Sequence, residues 1–370
     1  MINHTVLGFS NLGNTCYMNA ALQSLFSLTI FTHDIRDKEG CWRSNLPTSL
    51  LKCLTDLHSA RASPSHQRKI SLLKTLKQTI TANFSDFCGD EQQDAHEFLS
   101  VLLSQLKDEG LSMRTRVGLH PDASTIVANF EFELLSTRTC LSCGEKVCRT
   151  EPSNCLSVDL VARGSIEDSL ALYFKGFEVE CKCQWCSGQL ASVDQRFQSL
   201  PRVLVVQLKR FSMNHRGSLV KLHDRLRISP LLRLRAHSRA NVRLPGMPKP
   251  HLTHGDCFET SSPPEGAVLA EKKRSAEGST PNKIEQDSYA MNEYRITSVL
   301  SHIGSNMRHG HYISDSSDCN GRWLSFDDER VTPTDQKSVL KRSGKTEEAL
   351  WSTDHSAYLI HFRHSVLEVV

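Results

Sequence analysis

Apolar residues recur at helical spacing through the first hundred residues of the chain. This pattern predicts a helix over residues 16–28, directly after a turn-forming run of small polar residues, and a second helix over residues 71–82. A third helix is predicted to begin near Asp90, where acidic residues suit the positive end of the helix dipole, and to run to Lys107 before Gly110. The N-terminal part of the chain should therefore be helical.

Beyond residue 125 the pattern changes to the alternation that is typical of strands. The predicted strands cover residues 126–135, 156–161, 203–208, 294–300, 310–314, 321–326 and 358–362. A short helix over residues 166–174 is predicted between them, because Ser165 suits its N-cap and Asp168 follows three positions later. Strand character thus dominates the second half of the chain.

The stretch from Leu244 to Asp287 shows neither the helical spacing nor the strand alternation of apolar residues. It combines proline, glycine, serine and charged residues, which cannot bury enough apolar surface to offset the entropy of ordering. We interpret residues 244–287 as a flexible insertion. It interrupts one catalytic domain, whose first part is residues 1–243 and whose second part is residues 288–370.

Composition narrows the class of protein. Hydrophobic residues make up 39% of the chain and charged residues 23%, as in soluble globular proteins. The net charge is only +3, which gives no reason to expect a nucleic acid or a membrane surface as a partner. The sequence shows neither a long apolar run nor a secretory signal. We expect a protein of the cytoplasm or nucleus whose thirteen cysteines are thiols, metal ligands or a catalytic group.

One cysteine stands where a nucleophile would be activated. Cys16 lies at the junction of a turn and a predicted helix, and a helix N-terminus favours the thiolate form that attacks. The side-chain amide of Asn11, five residues earlier, is placed to donate to a developing oxyanion. The alternative for any one cysteine among thirteen is a buried structural thiol.

Two C-x-x-C pairs flank strand-like sequence in the middle of the chain. This spacing suits a tetrahedral structural metal site with four thiolates, namely Cys140, Cys143, Cys183 and Cys186. Four reduced cysteines without a metal are the alternative. Two further cysteines lie close enough to leave the ligand set open: Cys148 and Cys181.

The string GFSNLGNTCYMNAALQSL, residues 8–25, closely resembles the Cys box of the ubiquitin-specific proteases. The resemblance implies a papain-like cysteine protease of α+β fold with thumb, palm and fingers regions. It also implies that Cys16 is the nucleophile and that Asn11 and the backbone amide of Cys16 stabilise the oxyanion. Ala20 departs from the family, whose members often have serine there.

The downstream part of the chain resembles the family's His box, with H-x-G at residues 302–304 followed by Gly310-His311-Tyr312. By that match His311 is the general base, and His302 has a structural or supporting role. The segment WLSFDD that follows resembles the one that supplies the third catalytic residue. The aligned position is Asp327, with Asp328 as the fallback, since adjacent side chains of an extended segment point in opposite directions.

The resemblance extends to two more features. Family members commonly carry the C-x-x-C pairs at the tip of the fingers, which implies a structural zinc and no cofactor for catalysis, because four thiolates leave no open coordination position. Residues 90–98 resemble the family's Q-Q-D-A-x-E-F box, which implies that Gln93, Asp94 and Glu97 help to hold the arginine-bearing C-terminal tail of ubiquitin. The alternative for this box is an ordinary solvated helix face.

The function implied is a deubiquitinating thiol protease that hydrolyses the (iso)peptide bond after the C-terminal glycine of ubiquitin on protein conjugates. Ubiquitin and ubiquitinated proteins would be its partners. Two other functions stay open, a non-catalytic ubiquitin-binding scaffold and a protease for a ubiquitin-like modifier. The sequence leaves open the chain linkage, the cellular target, the role of the insertion and the oligomeric state.

Overall fold

A computed structural model describes residues 6–37, 49–117, 126–245, 292–304, 309–342 and 355–365. The first part of the chain is helical, as predicted. Its helices are α1 (Cys16–Ser27), α2 (Thr29–Asp37), α3 (Leu50–Ala60), α4 (His66–Thr81) and α5 (Ala95–Val117). Two shorter helices follow, α6 (Ile166–Tyr173) and α7 (Gln336–Arg342). No helix in the described part of the chain is long and apolar enough to span a membrane.

The boundaries of α4 and α5 differ from the prediction. Helix α4 begins five residues earlier, because the Ser65 side chain accepts a hydrogen bond from the backbone N–H of Arg68 and caps the helix there. Helix α5 begins at Ala95 instead of near Asp90. It also continues past Gly110, since one glycine costs a helix only about 1 kcal/mol.

The strands lie in the second part of the chain. They are β1 (Phe132–Cys140), β2 (Lys146–Ser153), β3 (Leu156–Val158), β4 (Phe177–Glu180), β5 (Leu190–Ser199), β6 (Val203–Leu208), β7 (Phe211–Met213), β8 (Leu219–Lys221), β9 (Leu231–Arg233), β10 (Ser238–Arg243), β11 (Glu293–Ile303), β12 (His311–Ser317), β13 (Trp323–Asp327), β14 (Arg330–Thr334) and β15 (His355–His364). The predicted strand over residues 126–135 starts late, because residues 126–129 form a 3-10 turn.

The larger sheet has the strand order β14-β13-β12-β11-β15-β6-β3, with β9 beside β11. It therefore joins strands from both sides of the insertion, since β6 pairs with β15 and β9 with β11. The smaller sheet has the order β10-β5-β1-β2, with β4 on β5. The exact boundaries of the insertion stay a prediction, because residues 246–291 lie outside the described ranges.

Helix α1 lies at the centre of the molecule. Apolar residues on all its sides are buried, and so are its polar residues Asn19, Gln23 and Ser24. One hydrophobic cluster packs α1 among the other N-terminal helices and against the larger sheet, and a second fills the space between the sheets and α6. This burial fixes the first turn of α1, where Cys16 lies, against β12. The predicted α+β class is confirmed.

Candidate active site

The Cys16 side chain is 2% exposed, at the first residue of α1. The chain enters the helix through a tight turn in which Gly13 and Asn14 have positive φ angles of 106° and 51°. The side-chain oxygen of Asn11 stabilises the turn, accepting from the backbone N–H of Gly13 at 3.1 Å and of Thr15 at 3.0 Å. The sulfur thus sits at the positive end of a buried helix, directly after the turn that Asn11 stabilises.

His311 meets Cys16 from the start of β12. Its Nε2 lies 2.6 Å from Oδ1 of Asp327, the last residue of β13, and this leaves Nδ1 to face the sulfur. The hydrogen bond with Cys16, followed by that with Asp327, raises the pKa of His311 to about 9. The imidazolium is therefore stabilised between the Cys16 sulfur and the Asp327 carboxylate, which both accept from it, in the arrangement of a Cys-His-Asp triad.

Asp328, the fallback for the third catalytic residue, contacts other groups than the His311 ring. The strand ends at Asp327, and Asp328 turns with a φ of 48°. Its carboxylate accepts from the amide of Asn11 at 2.9 Å and from the amide of Asn19 at 2.7 Å. The two neighbouring aspartates therefore hold different groups. Asp327 holds the base, His311, and Asp328 holds the candidate oxyanion donor, Asn11.

The segment before Asn11 is held against the same turn. The backbone N–H of Phe9 donates to the carbonyl oxygen of Asp328 at 2.9 Å. A Cβ on Gly8 would lie 2.1 Å from that oxygen, so only glycine allows this approach. The turn at residues 327–329 thus fixes the position of Asn11 as well as that of the His311 ring.

An oxyanion has donors available beside the sulfur. The Asn11 amide uses one N–H on Asp328 and keeps a second. The backbone N–H of Cys16 lies in the first turn of α1, where amide groups have no partner within the helix. These groups and the triad can together support acyl transfer through a tetrahedral intermediate.

The predicted tail-binding residues divide into different roles. Asp94 is 9% exposed, and it caps α5 by accepting from the backbone N–H of His96 at 2.6 Å and of Glu97 at 3.2 Å. It also accepts from the hydroxyl of Tyr358. Glu97 is exposed, and partial burial followed by the charges of Asp94 and Asp86 raises its pKa. Glu97 is thus the member of the box that offers a carboxylate to a cation outside.

The adjacent glutamines also differ. Gln93 lies before the start of α5, so it is outside the helix that was predicted to begin near Asp90. Its amide donates to the backbone oxygen of Asp86 at 2.8 Å. The amide of Gln92 instead donates to the carbonyl oxygen of Gly310, directly before His311. Gln92 was not among the predicted site residues, since which glutamine reaches the Gly310 carbonyl depends on where the helix begins.

The four cysteines of the C-x-x-C pairs meet at the end of the smaller sheet. Their sulfur atoms all lie within 4.8 Å of one another, with Cys140 and Cys186 separated by 3.6 Å and Cys143 and Cys183 by 3.7 Å. A tetrahedral zinc with Zn–S bonds of 2.3 Å would hold sulfurs about 3.8 Å apart. The donor set therefore fits one structural Zn²⁺.

Local geometry builds this cluster. Gly144 and Ser187 follow the two C-x-x-C pairs at matching positions and both have positive φ, 76° and 59°. A Cβ on Gly188 would lie 3.3 Å from the Cys140 sulfur and 2.5 Å from the Ser142 hydroxyl, so the two turns are in contact. Two cysteines that might have competed lie outside the cluster: Cys148 and Cys181.

Comparisons with known proteins agree with this geometry. The family model described as ubiquitin carboxyl-terminal hydrolase matches residues 7–362. Ubiquitin carboxyl-terminal hydrolase 37 of Gallus gallus is 38% identical over 265 residues, covering 64% of this chain and 27% of that protein. Ubiquitin carboxyl-terminal hydrolase 29 of Homo sapiens is 37% identical over 266 residues, covering 64% of this chain and 28% of that protein. The chain thus spans about a quarter of the length of these curated relatives.

Solved structures show the same fold. A chain in the SAGA DUB module of Ubp8, Sgf11, Sus1 and Sgf73 bound to monoubiquitin matches with a TM-score of 0.72 and 22% identity, covering 97% of this chain and 69% of that one. A chain of the same module bound to ubiquitin aldehyde matches with a TM-score of 0.71 and 22% identity, covering 97% of this chain and 69% of that one. At this identity the likeness establishes the architecture alone.

Proposed function

This chain belongs to the ubiquitin carboxyl-terminal hydrolase family, and on that premise we propose that it is a cysteine-type deubiquitinase. It would hydrolyse the (iso)peptide bond after the C-terminal glycine of ubiquitin. The observation that carries the proposal is the placement of the His311 ring, which the Asp327 carboxylate holds at 2.6 Å and whose pKa Cys16 raises, beside an oriented Asn11 amide. A scaffold that only binds ubiquitin has no need of this alignment.

Each residue has a definite task in the reaction. The Cys16 thiol gives its proton to His311, and the sulfur bonds to the carbonyl carbon of the terminal glycine. Asn11 and the Cys16 backbone amide donate to the oxyanion that forms. As the C–N bond breaks, His311 returns the proton to the leaving amine, and water then hydrolyses the thioester with His311 as the base.

The charge near the site supports a basic ligand tail. Glu97 is exposed, and its pKa is raised first by partial burial and then by the nearby charges of Asp94 and Asp86. A guanidinium bound there would relieve this repulsion and gain charge-assisted hydrogen bonds. Two structural relatives are complexes with monoubiquitin and with ubiquitin aldehyde, which supports ubiquitin and ubiquitinated proteins as the partners of this chain.

We further propose that the four-cysteine cluster holds one Zn²⁺, which supplies structural support and takes no part in catalysis. Backbone N–H groups of Cys143 and Ser142 lower the pKa of Cys140 to about 6, while hydrogen bonds with the neighbouring sulfurs raise the pKa of Cys143, so that zinc binding would release protons from the cluster. The cysteines of the described ranges are all free thiols, which supports the cytoplasm or nucleus as the location.

The pH dependence should follow His311. Because its pKa is raised to about 9 from an ordinary 6.5, the imidazolium persists below that pH and is lost above it. We expect kcat/KM on a ubiquitin substrate to stay high up to about pH 9 and then to fall. In Asp327→Asn the fall should move to lower pH, since the carboxylate no longer stabilises the cation. A profile unchanged by that substitution would contradict the role of Asp327.

Gln92 should matter more than its neighbour Gln93. Gln92→Ala removes the hydrogen bond to the Gly310 carbonyl and frees the backbone in front of His311. We expect kcat to fall roughly tenfold, since loss of near-attack geometry is costly. Gln93→Ala is the matched control, and it should change kcat by less than about twofold, because its amide binds the backbone of Asp86 instead. Equal effects in steady-state assays would refute this assignment.

The proposed function is tested by covalent labelling. Ubiquitin with a C-terminal electrophile should form one adduct with the purified chain, mapped to Cys16 by peptide mass spectrometry. The same electrophile on a ubiquitin-like modifier should react far more slowly. Binding of ubiquitin without any adduct would identify a non-catalytic scaffold, and faster reaction of the modifier would identify a protease of another conjugation system.

A further inference from the structure

A chain of hydrogen-bonded polar side chains lies in the core beneath the active site. Ser24 of α1 donates to the hydroxyl of Ser298 of β11 at 2.6 Å, and Ser298 contacts the hydroxyl of Ser316 at 2.9 Å. Ser316 contacts Ser314 of the same strand, β12, at 2.9 Å. Nδ1 of His361, on β15, lies 2.6 Å from the Ser24 hydroxyl. We call these five residues the serine-histidine network.

The network is isolated from solvent. None of its five side chains is more than 1% exposed, so although Ser24 and His361 resemble a nucleophile and base pair, no substrate can reach them. Burial lowers the pKa of His361 to about 4, so the ring is neutral. Because Ser24 donates to Ser298, it can accept from the N–H at Nδ1 of His361, and Nε2 is then left without a partner.

Such a network is costly and specific. The unpaired Nε2 of His361 destabilises the interior, and apolar side chains of similar size would avoid this loss. Apolar packing is non-directional and tolerates small sliding of a helix along a sheet, whereas short hydrogen bonds fix one position. The best-attested role of buried polar groups is to fix the position of one packed element along another.

The network joins the elements that carry the nucleophile and the base. Ser24 is eight residues from Cys16, about 12 Å along α1. Ser314 is three residues from His311, about 10 Å along β12. Helix α1 packs directly on β11 and β12, so a slide of α1 would change the distance between the Cys16 sulfur and the His311 ring.

We propose that the serine-histidine network is a positioning device for the triad, which fixes α1 along β12 and thereby sets the distance between Cys16 and His311. Its five members are positioning residues and take no part in the chemistry. The inference rests on the proposed function, because it concerns the efficiency of that reaction.

The test is Ser24→Ala in the full chain, assayed with ubiquitin carrying a fluorogenic C-terminal leaving group. We expect kcat to fall roughly 10- to 100-fold while KM stays within about twofold, since a small displacement harms the reaction and leaves the outer binding surface intact. The alkaline fall of kcat should move to lower pH. The groups that face the His311 ring (Cys16, Asp327, Asp328 and His302) are all still present, but the contact with Cys16, which raises the pKa of His311, becomes longer.

Matched variants separate positioning from stability. Ser27→Ala removes a hydroxyl from the same helix about one turn later. In the structure that hydroxyl donates to the backbone oxygen of Ser24 and does not belong to the network, so this variant should leave kcat unchanged. His361→Leu should resemble Ser24→Ala, and His361→Asn, which keeps a donor near the Nδ1 position, should restore kcat. Ser314→Ala lies at the end of the network and gives the same test if Ser24→Ala does not fold.

The contrary result is equally clear. Variants of Ser24, His361 and Ser314 that melt at lower temperature but keep the kcat and alkaline limb of the wild type would show that the network only stabilises the fold. That outcome would overturn the inference and leave the proposed function standing. A wild-type protein without turnover would overturn both.

Discussion

Replacement of Cys16 by alanine should abolish turnover of ubiquitin conjugates, with a fall in kcat of at least about 10⁴-fold. The sulfur is the atom that bonds to the carbonyl carbon, and nothing else at the start of α1 can replace it. Ubiquitin affinity should be retained, because the Cys16 side chain is 2% exposed and offers little surface to a ligand. Single-turnover hydrolysis and calorimetric binding measure the two quantities on the same preparation.

The chain offers two cysteine controls for this experiment. Cys53 is buried on α3, and Cys88 is exposed beside the 3-10 turn at residues 85–87. Cys53→Ala and Cys88→Ala should both keep covalent labelling by ubiquitin electrophiles. Persistent labelling of Cys16→Ala, or its loss in Cys88→Ala, would place the nucleophile elsewhere.

Loss of the metal cluster should have the second large effect, and it should be structural. Cys183→Ser removes one of four thiolates and should release the zinc, whose binding contributes on the order of 10 kcal/mol to small zinc domains. We expect the ends of β1 and β5 beside the cluster to lose protection from hydrogen exchange, while the Cys16 region stays protected. Metal analysis should show one zinc per chain in the wild type and none in the variant.

Cys148→Ser is the matched control for the metal cluster. Cys148 belongs to the same sheet, on β2, but it lies near the Thr137 hydroxyl, 3.7 Å away, and outside the four-sulfur group. That variant should keep its zinc and its exchange protection. A wild-type protein purified with zinc in the medium but containing no metal would refute the site.

The sequence was most informative where local chemistry decides the structure. The turn and helix that carry Cys16 are encoded within about fifteen residues, and the C-x-x-C pairs bring their own turn residues, Gly144 and Ser187. The pairing of His311 with Asp327 came from family resemblance, and the contact between their side chains agrees with it. Helix α3 was overlooked although Ser49 caps it and its leucines have helical spacing.

Contacts between distant segments were beyond sequence reasoning. Asp94 looked like a ligand on a helix face, but it is buried as the cap of α5 and as the acceptor of the Tyr358 hydroxyl. The choice between Gln92 and Gln93 followed from the helix starting five residues later than predicted. Asp328 contacts Asn11 across 317 positions of the sequence, a pairing that depends on the whole fold.

The close approach of Gly8 to the Asp328 carbonyl has a pharmacological consequence. A compound that wedges this backbone contact apart would misalign the base and the oxyanion donor together, without reacting with the sulfur. A substitution of Gly8 that blocked such a compound would itself push residues 327–329 away, because even a Cβ at position 8 would lie 2.1 Å from the Asp328 carbonyl oxygen. One backbone contact thus controls both the orientation of the His311 ring and that of the Asn11 amide.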